Sequence, residues 1–147
     1  MPMMRDDEDA GLAGVLAEGS ELAERYRDLL ESESLSGTLS GLLRELVARR
    51  EPLLEKLREL EVERGSLPQS GDPDRAFLQS LADWVRSRVS GDDAATAARL
   101  RDAEKAWLDT ISEALSLDWS ASERSTLERV RDHAQAAARQ FDQVTSG

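Results

Sequence analysis

Apolar residues recur along this chain at intervals of three and four, the spacing that gathers side chains on one face of an α-helix. Leu12, Val15/Leu16, Gly19, Leu22/Ala23, Tyr26 and Leu29/Leu30 define a first stripe and predict a helix over about residues 8–33. Leu39, Leu42/Leu43, Leu46/Val47, Leu53/Leu54, Leu57 and Leu60 predict a second over about 37–64, interrupted in its apolar pattern by Arg49 and Arg50. Pro52 lies inside this segment, lacks a backbone donor and crowds the carbonyl four residues back. It predicts a kink near Ala48, or a break with Pro52 opening a second piece. Gly65 stands where a left-handed residue ends the helix. Ala97, Leu100, Ala103, Trp107, Ile111 and Ala114/Leu115 predict a helix over about 93–116. Leu127, Val130, Ala134, Ala137, Phe141 and Val144 form the cleanest stripe, over about 120–144. Ser120 and Glu123 are spaced as a capping box at its start.

The connections carry the topology. The first and second helices, and the last two, are joined by short turns, which makes each pair an antiparallel hairpin. Between the hairpins stand the 27 residues Gly65 to Gly91, opening on a Ser-Leu-Pro-Gln-Ser-Gly-Asp loop at 66–72. Asp72 caps and Pro73 starts a further predicted helix at about 73–89, with Phe77, Leu81, Trp84 and Val85 on a face. At 1.5 Å per residue it is roughly 25 Å long, enough to run most of the way back along a bundle. Asp92 is the expected cap of the next helix. The expectation is an all-α fold, a ferritin-like four-helix bundle whose long crossover contains an extra helix. An up-down-up-down arrangement of five helices is the alternative. One domain over 10–144 is expected, behind an acidic, frayed N-terminus at 1–9.

Composition narrows the chemistry. The 147 residues contain no Cys and one His, which excludes disulfides, thiol nucleophiles and cysteine-ligated metals. Asp plus Glu number 30 against 19 Lys plus Arg, a net charge of −11 that repels a phosphate backbone and argues against nucleic acid as a partner. No apolar run approaches the roughly 18 residues that span a bilayer. Asp6, Asp7, Glu8 and Asp9 are the opposite of the basic start of a secretory signal, so the expected location is the cytoplasm.

The stretch Gly91-Asp92-Asp93, an Ala-rich helix, then Asp102-Ala-Glu-Lys-Ala-Trp-Leu-Asp-Thr-Ile-Ser-Glu-Ala-Leu115, resembles a bacterial (proteobacterial) ferritin-like family of unknown function. The Arg/Glu-rich helix before it and the aromatic crossover around Trp84 are similar to that family as well, and the likeness covers about residues 20–143. The resemblance implies a ferritin-like fold and brings no activity with it.

Ferritin-like di-iron sites take a Glu from each of two helices and a Glu-x-x-His from each of the other two. Here the single His133 has Val130 three residues before it, so no such motif exists. His133 also lies one residue off the Ala134 stripe, and the pattern places it on the flank or surface. Carboxylates alone can hold a hard cation, and Glu104, beside Leu100, Trp107 and Ile111, is the best candidate. The competing and preferred account is a buried pair of Glu104 with Arg50 or Arg49, or a hydrogen bond to it from Tyr26, because a lone buried charge is costly. Trp84 and Trp107 read as core residues, and Trp119 as a cover over the end of the bundle. No cofactor is expected. The first reading is therefore a non-enzymatic structural or protein-interaction module without a standard di-iron site. The second is a carboxylate-only metal-binding protein or oxidoreductase centred on Glu104. The Leu-dense second helix and the crossover would suit a homodimer or a protein partner, including an adaptor for an amphipathic helix.

Overall fold

Leu, Ala, Glu and Arg lose little conformational freedom on entering a helix, and long runs of them separate the few Gly and Pro residues of this chain. The computed structural model describes residues 7–32, 35–65 and 93–146. Among these residues there are four helices and no strand: α1 (Asp7–Ser32), α2 (Gly37–Glu63), α3 (Asp93–Leu115) and α4 (Ala121–Ser146). The crossover helix expected at 73–89, its Asp72 cap, Trp84 and the Asp92 cap lie outside the described residues.

The ends of the helices reflect local chemistry. Ser36 caps α2, its Oγ accepting from Leu39 N–H at 3.2 Å, and donates to Asp93 at the first residue of α3. Gly65 adopts φ +77°, and the amides of Arg64 and Gly65 close on the carbonyls of Leu60 and Val62 at 3.0 Å. Ser120 and Glu123 form a reciprocal box, with Glu123 N–H donating to Ser120 Oγ at 3.2 Å and Ser120 N–H to Glu123 Oε1 at 3.0 Å. The last carbonyls of α3 are met by side chains of the α3–α4 turn and of α4. Trp119 Nε1 donates to Ala114 O, and the Arg124 guanidinium to the carbonyls of Leu115 and Leu117.

Two ends differ from the expectation. Asp7 to Asp9 are helical, because acidic side chains suit the positive end of a helix and Asp9 is held by Arg64 at 2.6 Å. The last helix runs on to Ser146. Pro52 does not break α2 in two. The proline and Ala48, whose carbonyl loses its donor, both sit on the exposed side, where water can supply the missing bond, while Arg50, Leu54 and Leu57 anchor the same turns in the core.

The four stripes meet in one core. α1 lies between α2 and α3, and α4 closes the ring against the same two helices, so α2 stands diagonally opposite α3. Neighbours run antiparallel. Gly11 near the start of α1 faces Ala114 and Leu117 at the end of α3, and Arg64 after α2 reaches Asp9 of α1 and Glu123 of α4. α2 therefore finishes at one end of the bundle, while α3 starts at the other, beside the start of α2. No described helix is long and apolar enough to cross a membrane.

At the end where α2 finishes, Arg64 joins three elements. It binds Asp9 at 2.6 Å and Glu123 at 2.7 Å and stacks on Trp119, its Cζ 5.4 Å from the ring centroid. Hydrogen bonds to Asp9 and then Glu123 raise its pKa above the ordinary value. Trp119 is thus the cover over this end of the bundle, 7% exposed.

Candidate functional site

Leu39, Leu43, Leu46, Leu54, Leu57 and Leu60 are the buried leucines of α2, and the register that joins Leu46 to Leu54 passes through residue 50. The structure accordingly buries Arg50 completely, in a slot that elsewhere on this helix holds Leu. Glu104 takes the equivalent place on α3 between Leu100 and Trp107, and Tyr26 the place on α1 between Leu22 and Leu29. All three side chains, and that of Trp107, have no exposed surface.

They form one layer across the bundle. Arg50 Nη2 donates to Glu104 Oε1 at 2.6 Å, and the Tyr26 hydroxyl donates to Glu104 Oε2, so both carboxylate oxygens are engaged. The guanidinium lies over Trp107, 4.5 Å from Cζ to the ring centroid, and 5.5 Å from that of Tyr26. Trp107 is fixed in turn by its indole N–H, which donates to the Val15 carbonyl at 2.9 Å. This ring can approach α1 because residue 19 is glycine. A Cβ there would stand 2.5 Å from Trp107 Cζ2 and 3.0 Å from a Leu54 methyl. Phe141 of α4 meets Tyr26 edge to face, with centroids 6.1 Å apart.

Burial and charge set the protonation states. Burial pushes the Tyr26 phenol well above its ordinary pKa, and the Glu104 charge adds to this, so Tyr26 is a neutral donor. For Arg50 burial, the largest single influence, works against the cation, but Glu104 and Tyr26 together outweigh it and the pKa is raised. Arg50 Nη1 is the one guanidinium nitrogen of the layer without a hydrogen-bond partner among the described residues.

The fourth member of the layer is His133. Arg50 Nε donates to His133 Nε2 at 2.9 Å, so this nitrogen is an acceptor and the imidazole is neutral, with its proton on Nδ1. Burial, then Arg50 and Arg49, lower its pKa from the usual 6.5 to about 3. The position is half-buried and turned toward α2, so of the two places its offset from Ala134 allowed it takes the flank and not the surface. A second spacing signals it: His133 lies three residues after Val130 and four before Ala137, both buried. That places it on the edge of the stripe, in reach of a neighbouring helix.

Of the residues expected to gather around Glu104, Tyr26 and Arg50 do so, and Arg49 does not. Arg49 is exposed and pairs with Glu45 one turn back at 2.5 Å. One step from Arg50 is about 100° around a helix, which carries the side chain off the core. Among the described residues, no group of three or more His, Asp or Glu is placed to hold a metal ion. Glu18 of α1 is buried too and accepts from the Thr110 hydroxyl at 2.9 Å, joining α1 to α3 away from the central layer.

Comparison with protein-family models, curated proteins and solved structures finds no match to this chain.

Proposed function

We propose that this chain is a ferritin-like helical bundle acting in the cytoplasm as a structural or protein-interaction module, and that it is not an enzyme. The observation that carries the reading is the occupation of the bundle centre by protein groups. Both Glu104 oxygens and the His133 Nε2 lone pair face donors of the same chain, where a metal-binding bundle would present lone pairs to an ion. The arrangement of the helices supports the ferritin-like part. Two antiparallel hairpins, with α2 and α3 parallel on a diagonal, are what a single long crossover between the hairpins produces. The family resemblance around Asp102 to Leu115 points the same way.

The test is elemental analysis of protein purified without a metal-affinity tag, alongside Glu104→Ala. The expected result is no stoichiometric metal in either. Bound iron or manganese that disappears in the variant would instead favour a carboxylate-centred metal site. For the interaction role, light scattering reports whether the chain self-associates, and purification with native partners reports whether another protein joins it.

A further inference from the structure

We propose that the Arg50–His133 contact is an acid-sensitive latch between α2 and α4, and that the bundle opens along this pair of helices when His133 takes a proton. The geometry of the contact makes it one. A guanidinium remains cationic at any pH a protein meets, and here it donates its Nε–H into the Nε2 lone pair of the imidazole. Protonation of Nε2 turns the acceptor into a donor and sets two cations against each other in a half-buried place.

Among the described residues, no anion is positioned to absorb that charge. The charges that act on the imidazole from α2 are Arg50 and Arg49, both positive. From α3 the carboxylate of the layer, Glu104, is engaged by Arg50 Nη2 and by the Tyr26 hydroxyl. On α4 itself, Asp132 is exposed and pairs with Arg131. The contact also lies where it can matter. Polar ties join the α2 segment to α4 from Arg64 to Glu123 at the end of the bundle and from Arg50 to His133 midway along it. In the first, the hydrogen bonds from Ser120 and Arg64 outweigh the effect of burial and lower the Glu123 pKa, so that tie holds at the mildly acidic pH where a released imidazole takes up a proton.

Linkage gives the direction of the response. The folded imidazole titrates near 3 and the released one near 6.5, so the contact contributes fully above about pH 6.5 and progressively less as pH falls toward 3. One proton taken up on opening makes the open state about tenfold more populated for each pH unit below about 6.5. That response begins above the range in which ordinary carboxylates titrate.

The experiment is amide hydrogen exchange on the full chain between pH 6.5 and 5, corrected for intrinsic exchange chemistry, for the wild type and His133→Gln. The amide oxygen of Gln can accept from Arg50 but takes no proton. Amides of α2 and α4 flanking the contact should open about tenfold more per pH unit in the wild type and stay level in the variant. Equal pH responses in the two proteins overturn the proposal. Should the variant fold poorly, the wild type alone decides. With a single histidine in the chain, nuclear magnetic resonance of its ring nitrogens is unambiguous. A neutral Nδ1–H imidazole in the closed bundle at pH 5 supports the latch, and titration near 6.5 with the bundle closed refutes it.

Discussion

Arg50 and Arg49 differ by one position and by everything else. Arg50 continues the register of Leu46 and Leu54 and is swallowed by the core, whereas Arg49 points to water. Removing one partner of a buried pair strands the other, so Arg50→Ala and Glu104→Ala should each cost about 3–5 kcal/mol in urea unfolding. The double variant Arg50→Met/Glu104→Leu should cost much less than the sum of the two, because it leaves no charge unpaired. A double variant as costly as that sum would mean that a stranded partner charge is not what the single variants lose. Gly19→Ala tests the packing beneath the same layer. Alanine is favoured over glycine in a helix by about 1 kcal/mol. Yet the added methyl would overlap Trp107, and we expect a net loss of about 1–3 kcal/mol. How much of the site can be read from sequence depends on the residue. Glu104 and Tyr26 fall on their stripes and Arg50 on its own. His133 sits at a stripe's edge, where spacing alone allows either water or a neighbour, and the guanidinium that decides the matter lies 83 residues away.

At the scale of the element, the end of α2 and the start of α4 were legible in the sequence, because caps are local chemistry. The Ser120 and Glu123 box and the positive φ of Gly65 need only residues within one turn. Ser120→Ala should lower stability by about 1 kcal/mol. Pro52 shows the limit of local reading. Its missing donor and ring predict a kink or a break; α2 runs through it as one helix, with Arg50 and Leu54 on either side of the proline buried in the core. The cost of the proline persists even though the helix does. Pro52→Ala should therefore raise the thermal midpoint, by an amount worth up to about 3 kcal/mol, since the site is exposed and the alanine restores one backbone donor. A lowered midpoint would show that the ring itself is packed.

For the molecule as a whole, charge and topology dominate. The surplus of 11 negative charges belongs to a chain whose surface ion pairs, such as Arg49 with Glu45 and Arg58 with Glu55, are exposed and individually weak. Net self-repulsion should therefore outweigh pairing. Raising the salt from about 20 to 200 mM, which shortens the screening length below about 10 Å, should raise the urea midpoint. A fall would mean that the ion pairs outweigh the repulsion. The pairing of the helices into two antiparallel hairpins was legible from loop lengths, since short turns force neighbours, whereas the diagonal placing of α2 and α3 was not. What no loop length reveals is that all four helices meet at one charged layer, which depends on tertiary register.

The Arg64 clasp has a consequence in time. Its partners are 55 and 59 residues distant along the chain, while α3 and α4 are joined by a short turn whose caps come from within the hairpin. Local contacts form early and distant ones late, because a long loop must close first. This predicts that the α3–α4 hairpin forms first and that the clasp closes after the rate-limiting barrier is crossed. Arg64→Ala should then leave the refolding rate nearly unchanged in stopped-flow measurements and put its whole effect into faster unfolding. This one arginine would set how long the folded bundle lasts, with no say in how quickly it forms.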